Sequence, residues 1–138
     1  MKKWLYLSVL SFFLSSMTIW LMSHKSLQIA LGIMFWLGLI AGFLFLIPIS
    51  KARKSDKMYA MYIEKNAPKF LRLFSNKPAI VADVMFMVSL VGIVIALNIN
   101  DSPPWLEFGS AFGCVFSLEM HGIFNGRNYA YLNDWGYH

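Results

Sequence analysis

The sequence predicts an all-α integral membrane protein with four transmembrane helices, arranged as two antiparallel hairpins on either side of a basic, amphipathic cytoplasmic loop. Of its 138 residues, 58% are hydrophobic and 14% are charged, whereas about a quarter of the residues in soluble domains are charged. The apolar residues fall in four long segments, and the basic residues cluster between the second and the third. Too few residues lie outside these segments for a separate soluble domain, so a single membrane domain is expected.

Four segments approach the roughly 20 apolar residues that a helix needs to cross a bilayer. The first two, residues 4–22 and 27–49, contain no charged side chain. The third, residues 79–97, contains Asp83 alone. The fourth, residues 105–124, is the least hydrophobic and carries three ionisable side chains: Glu107, Glu119 and His121. Between and after these helices, the sequence predicts a loop over residues 50–78 and an aromatic tail over residues 125–138.

The distribution of lysine and arginine predicts the orientation, because cytoplasmic loops of membrane proteins are enriched in both. Eight of the twelve basic residues lie in the central loop, two precede the first helix, and none lies in the turn over residues 98–104. Both chain ends and the central loop are therefore expected on the cytoplasmic side of the membrane. The eight clustered residues are Lys51, Arg53, Lys54, Lys57, Lys65, Lys69, Arg72 and Lys77.

The central loop mixes these basic residues with bulky apolar ones, including Met58, Met61, Tyr62 and the segment 70–74. Such a mixture is typical of short amphipathic helices that lie in the membrane interface and bind anionic lipid headgroups. The alternative is that the charges only set the topology, and this alternative is favoured because the positive-inside rule alone accounts for their number. Nucleic acid is not an expected partner, since apolar spans flank the patch on both sides.

Small residues recur on one face of each predicted helix, which is typical of helices that pack closely in lipid. These faces predict a compact four-helix bundle, and they leave open whether the contacts form within one chain or across a homo-oligomer. The positions singled out are Gly38, Gly42, Gly92, Gly109, Gly113 and Ser117.

Ionisable groups inside a membrane are candidates for a functional site. Asp83 and Glu119 each lie about 7 Å inside the cytoplasmic end of their helix at 1.5 Å per residue, and His121 is shallower. We expect a polar layer here that Asn125 and Arg127 extend. In the structural alternative, which is favoured because the layer lies near the bilayer edge, Asp83 caps its own helix. Glu119 then reaches the headgroups, and His121 bonds a neighbouring helix.

No metal-ligand cluster, cofactor motif or catalytic set is found in the sequence, so no metal, cofactor or catalytic residue is assigned. The single cysteine, Cys114, excludes a paired-cysteine redox motif. The tail is rich in tyrosine and tryptophan, which favours a headgroup-level aromatic belt. A partner-docking segment or a lid over the polar layer is the alternative.

The run from Met120 to Tyr129 contains the pattern H-x-x-x-N-G-[KR]-N-Y. It resembles the end of small, uncharacterised bacterial membrane proteins with four helices, in which this pattern closes the last helix. The resemblance covers mainly the third helix onward. It implies the four-helix fold but no activity, cofactor or substrate.

Three classes of function remain. The favoured one is a non-catalytic membrane protein that binds a membrane partner, either as an accessory subunit or as an immunity-type protein, because the chain lacks a soluble domain and a catalytic set. The second is a small homo-oligomeric channel or transporter for ions or protons, with Asp83 and Glu119 as its ion-handling groups. The third is a membrane enzyme that uses Asp83, Glu119 and His121.

Overall fold

The computed structural model describes residues 2–22, 28–66, 73–74 and 76–134. All of its secondary-structure elements over these residues are helices, and no strand is formed there. The helices in chain order are α1 (Lys2–Leu21), α2 (Gln28–Ser55), α3 (Lys57–Asn66), α4 (Lys77–Asn98), α5 (Pro104–Phe124) and α6 (Arg127–Asp134).

Within the described residues, three helices are long and apolar enough to cross a membrane, namely α1, α2 and α4. The prediction of an all-helical membrane protein is confirmed to that extent. The 21-residue helix α5 is long enough, since its rise of about 31 Å matches a bilayer core. It is not among the three, because Glu107, Glu119 and His121 lower its mean hydropathy.

The second helix continues six residues past its predicted end at Ile49, through to Ser55. Pro48 lies inside it, and the helix nevertheless continues, so neither the proline nor the following charges end it. The predicted loop over residues 50–78 therefore holds the last turns of α2 and all of α3. The change from apolar to basic sequence marks where the hydrophobic segment stops and not where the helix stops.

Helices α1 and α2 pack through small residues and serine hydroxyls. Ser8 Oγ donates to the carbonyl of Gly42 at 2.7 Å, and Ser15 Oγ donates to the carbonyl of Phe35 at 2.8 Å. The order of the contacts is reversed along the two helices. A Cβ placed on Gly38 would lie 2.9 Å from the Ser15 Cβ, so glycine is what permits this close approach.

Helices α4 and α5 pack through a reciprocal pair of glycine–serine contacts. Gly92 of α4 faces the hydroxyl of Ser110, and Gly113 of α5 faces the hydroxyl of Ser89. A Cβ on either glycine would overlap the opposing serine oxygen. By contrast, a Cβ on Gly109 would meet nothing within 4 Å, so the packing predicted for Gly109 is not made within the described chain.

Helix α1 joins the two pairs because it also packs on α5. The Phe13 ring makes edge-to-face contacts with the rings of Phe112 and Phe116, at centroid distances of 5.8 and 5.4 Å. The four long helices thus follow the spatial order α2–α1–α5–α4. Among the described residues α2 and α4 share no substantial packing, so the compact four-helix bundle expected from the small-residue faces stays a prediction.

The two short helices form a cap at the end of the four long helices where α2 and α5 terminate. Tyr59 of α3 is 2% exposed, donates its hydroxyl to the Arg127 carbonyl at 2.9 Å, and contacts the Tyr131 ring edge-to-face at 5.0 Å. Leu132 of α6 and Ile49 of α2 are fully buried. The start of the aromatic tail is therefore part of the packed core, while residues 135–138 lie outside the described residues.

Candidate functional site

Asp83 and His121 form a buried pair between α4 and α5. His121 Nδ1 lies 2.6 Å from Asp83 Oδ1, and the two side chains are 12% and 5% exposed. The second carboxylate oxygen of Asp83 accepts the backbone N–H of Phe74 at 2.8 Å. Phe74 precedes α4 and has a left-handed φ of 54°. The Asp83 carboxylate therefore bonds both to α5 and to the segment that precedes α4.

The N-terminus of α4 is capped by Asn76 and not by Asp83. The Asn76 side chain accepts the Ala79 N–H at 2.9 Å, and its Nδ2 donates to the carbonyl of Phe124 at 2.9 Å. An asparagine before a Lys-Pro pair is a helix-start signal, so the sequence contained this cap. The expectation that Asp83 caps its own helix is wrong because Asp83 lies too far along α4 and its oxygens are occupied by His121 and Phe74.

Glu119 is directed toward α1, away from the Asp83–His121 pair. Ser16 Oγ lies 3.4 and 3.5 Å from its two carboxylate oxygens, which makes a long hydrogen bond. Ser16 itself is fully buried. No other hydrogen bond or ion pair to Glu119 is found in the described part of the chain. Its carboxylate is thus only weakly paired, although it is half-buried.

The predicted polar layer is divided by α5 into two separate groups. Asp83 and His121 meet on the α4 side, and Glu119 lies on the α1 side. The backbone carbonyl of Arg127 accepts a hydrogen bond from Tyr59, while its exposed side chain makes no ion pair with a described carboxylate. Asn125 is buried at the end of α5 and donates its backbone N–H to the His121 carbonyl at 2.9 Å.

Glu119 borders a cleft of about 490 Å³ between α1, α2, α5 and α6. Its volume falls within the range of small-molecule sites, about 300–1,000 Å³. The polar side chains at the cleft are Glu119, Arg53, Arg127 and Asn128, and its apolar walls are formed by Phe12, Phe43, Leu46, Leu118 and Ile123.

The cleft runs along the helix axes. On α2 its lining residues extend from Phe43 to Arg53, a rise of about 15 Å at 1.5 Å per residue. That distance is half of a bilayer core about 30 Å thick. Arg53 stands at the capped end, where its Nε donates to Asn128 Oδ1 at 2.9 Å and its Nη2 contacts Ser50 Oγ at 3.3 Å.

The basic residues predicted to bind headgroups do not form one uniform set. Arg53 is partly buried and bound to Asn128, so it belongs to the cleft and not to the exposed surface. Lys69, Arg72 and most of the predicted interfacial segment 70–74 lie outside the described residues. The remaining members are exposed or partly exposed along α2, α3 and the start of α4: Lys51, Lys54, Lys57, Lys65 and Lys77.

Helix α3 is amphipathic, as its sequence predicts. Met58 and Met61 are 67% and 70% exposed, while Tyr59 is buried in the cap. The two exposed methionines leave an apolar side on a helix that also carries exposed Lys57 and Lys65. Docking of this side on a membrane surface stays a prediction.

Sequence reasoning missed three polar contributors: Ser16, Asn76 and Asn128. Ser16 lies next to the predicted small-residue face of α1, and its partner is more than a hundred positions away, so no local pattern could reveal it. Asn128 lies within the run that carries the family resemblance. Its partner, Arg53, was assigned to the basic loop on composition alone.

No protein-family model, curated protein or solved structure matches this chain. The resemblance carried by the run from Met120 to Tyr129 therefore stays a prediction.

Proposed function

We propose that the chain crosses a membrane four times, with α5 as the fourth span and the helices paired as two antiparallel hairpins. The packing supports this, because α5 lies along α4 and α1, both of which are apolar enough to span. Much of the polarity of α5 is also turned toward other helices. His121 contacts Asp83, Glu119 contacts Ser16, and the hydroxyl of Ser110 faces Gly92.

In this arrangement the capped end, with α3 and α6, lies on the cytoplasmic side, as the excess of Lys and Arg there favours. Arg53 and Arg127 then stand at the level of the inner headgroups. The cleft opens within the cytoplasmic leaflet and reaches toward the bilayer midplane. A bacterial inner membrane is the compartment that the sequence favours.

Within that membrane, we infer that the protein is non-catalytic and acts by binding a membrane partner, as accessory subunits and immunity-type proteins do. The observation that carries this inference is the cleft beside Glu119, which joins apolar walls to a weakly paired carboxylate and two guanidinium groups. Charged side chains at membrane depth are costly, so an incompletely paired one is a candidate for a functional site. The Asp83 carboxylate, by contrast, already has two partners within the chain, His121 and the backbone N–H of Phe74.

The same geometry gives less support to transport or catalysis. Asp83 and Glu119 lie on different sides of α5, so the two carboxylates do not line one path within the chain. Asp83 is occupied by His121 and Phe74, an arrangement that holds helices together. Ion or proton flux through liposomes that contain the purified protein would favour the channel or transporter alternative over binding.

Site-specific photo-crosslinking in cells tests the binding function. A photoreactive residue replaces Leu118, which lines the cleft and is 57% exposed. The matched control replaces Val84 of α4, which lies at a similar depth, is 47% exposed and is remote from the cleft. We expect a discrete adduct at Leu118 that is absent at Val84. Identical, diffuse labelling of bulk lipid from both positions would contradict a binding cleft.

A further inference from the structure

We propose that the ligand of this cleft is a single-chain anionic phospholipid, that is, a lysophospholipid of the cytoplasmic leaflet. Its phosphate would lie at Arg53 and Arg127, its free glycerol hydroxyl would donate to Glu119, and its one acyl chain would lie along the apolar walls. The proposal rests on the proposed function, and it takes the membrane partner that occupies the cleft to be a lipid and not a protein.

The shape and lining of the cleft suit an acyl chain. Its apolar walls follow α2 for about 15 Å, from Phe43 to Arg53, and the cleft ends at the two arginines. One acyl chain is favoured over two by the hydroxyl donor that Glu119 needs, since a glycerol with a single acyl chain keeps one hydroxyl free.

The charges at the capped end match a phosphate group. The Nε of Arg53 is bound by Asn128, which fixes the guanidinium and leaves other N–H groups to donate. Arg127 is a lining residue of the cleft, and its guanidinium has no hydrogen-bond partner among the described residues. Two arginines at one site are typical of phosphate recognition, because guanidinium groups donate charge-assisted hydrogen bonds to its oxygens.

Glu119 selects for a hydrogen-bond donor below the phosphate. It lies eight positions before Arg127, inside α5, and its sole bond in the described chain is the long one from Ser16. A carboxylate in an apolar wall needs a donor. The glycerol of a lysophospholipid carries one free hydroxyl directly below the phosphate, whereas in a diacyl lipid both of these oxygens are esterified and neither can donate.

The test uses native mass spectrometry of the full-length protein in a mild detergent, with amphiphiles that each lack one of these features. The complete ligand is 1-palmitoyl lysophosphatidate. Hexadecyl phosphate lacks the hydroxyl, monopalmitoylglycerol lacks the phosphate, and dipalmitoyl phosphatidate has a second chain and no free glycerol hydroxyl. We expect one bound lysophosphatidate per chain. Each of the other three should bind at least about ten-fold more weakly, the effect of losing one charge-assisted hydrogen bond.

Three variants assign the contacts. Arg127→Gln should weaken lysophosphatidate and hexadecyl phosphate about ten-fold each, and it should fold, since Arg127 is exposed. Glu119→Ala should abolish the preference for lysophosphatidate over hexadecyl phosphate, because it removes the acceptor of the glycerol hydroxyl. Lys2→Gln removes the same charge outside the cleft and should leave both amphiphiles unaffected.

The outcomes separate the two proposals. Lysophosphatidate binding that is insensitive to Arg127→Gln, or equal to that of the diacyl lipid, overturns the lysophospholipid assignment. If no amphiphile binds while Leu118 crosslinks to a protein, this assignment fails and the binding function stands. If no amphiphile binds and Leu118 labels as Val84 does, both fail.

Discussion

His121 Nδ1 lies 2.6 Å from Asp83 Oδ1, and this contact joins the second turn of α4 to the last turn of α5. The same carboxylate binds the Phe74 N–H, so one side chain links two helices and a connecting segment. In a bilayer, water does not compensate for a lost ionic contact, and a group left without its partner keeps its full desolvation cost. The pair should therefore matter for stability more than a surface pair does.

Breaking this pair should destabilise the fold without abolishing ligand binding. We expect His121→Ala and Asp83→Asn each to lower the free energy of unfolding by about 1–3 kcal/mol, the cost of leaving a buried polar group without its hydrogen-bond partner. The measurement is thermal or denaturant unfolding in mild detergent. The double variant should cost less than the sum of the two single changes, because either change already removes the contact.

Glu64→Gln is the matched control for Asp83→Asn, since it makes the same change from carboxylate to amide at an exposed position on α3. It should alter the free energy of unfolding by less than about 0.5 kcal/mol. If Asp83→Asn were equally neutral, the pair would contribute nothing to stability. A folded Asp83→Asn protein that no longer bound its partner would assign Asp83 to the functional site.

The reciprocal glycine–serine contacts predict a difference between two glycines of the same helix. A Cβ at Gly113 would overlap Ser89 Oγ, while a Cβ at Gly109 would meet nothing. Gly113→Ala should therefore lower the free energy of unfolding by about 1–3 kcal/mol, the usual cost of overpacking. Gly109→Ala should be neutral or slightly stabilising, because alanine favours helix. Unfolding in detergent measures both variants.

A compensating substitution tests whether overlap with Ser89 causes the loss of stability in Gly113→Ala. Adding Ser89→Ala to Gly113→Ala removes the opposing hydroxyl, so part of the lost stability should return. If Gly109→Ala proved the more damaging substitution, the open side of α5 would be an interface with another chain. The small-residue faces would then pack across a homo-oligomer.

The fold was predictable from the sequence wherever apolar length alone decides the structure. All four predicted spans appear as helices, and three of them, α1, α4 and α5, lie within two residues of their expected bounds. The hydropathy of α1, α2 and α4 is sufficient for a membrane. The end of α2 was not predictable in this way, because the helix continues through Lys51 and Arg53 to Ser55. Charge marks the edge of an apolar segment, but lysine and arginine are good helix formers and do not end a helix.

The site was less predictable, because depth along a helix can be read from the sequence and the direction of a side chain in an assembled fold cannot. Asp83, His121 and Glu119 were expected at similar depth, and α5 directs the first two toward each other and Glu119 toward Ser16. Which helix lies on each side of α5 is a tertiary property. The cleft depends on that order, since Arg53 and Asn128 meet across 75 positions of sequence.

The cap formed by α3 and α6 predicts a local effect of Tyr59. Its hydroxyl donates to the Arg127 carbonyl, and its ring is 2% exposed. Tyr59→Phe should lower the stability of the cap by about 1 kcal/mol through the lost hydrogen bond, and Tyr59→Ala by about 3–5 kcal/mol through the cavity left behind. Amide hydrogen exchange over α3 and α6 should report both as faster exchange, with α4 unaffected.

Tyr129→Phe is the control, because the Tyr129 ring packs on Phe124 at a centroid distance of 5.1 Å and its hydroxyl has no partner among the described residues. Exchange in that variant should match the parent protein. Equal exchange in Tyr59→Phe and Tyr129→Phe would show that the Tyr59 hydroxyl does not hold the cap.

The membrane topology of the chain ends and loops tests the proposed fourth span. Reporter fusions at Ser55 and at the C-terminal His138 should both read as cytoplasmic, and a fusion at Ser102 should read as external. Ser55 ends α2 beside the basic cluster, and Ser102 lies between α4 and α5. The positive-inside rule predicts the direction, and the proposed fourth span rests on the packing of α5 between α4 and α1. An external reading at His138 would show that α5 does not cross. Arg53 and Asn128 would then lie on opposite sides of the membrane, so the cleft that both residues line and its proposed phospholipid ligand would be overturned together with the fourth span.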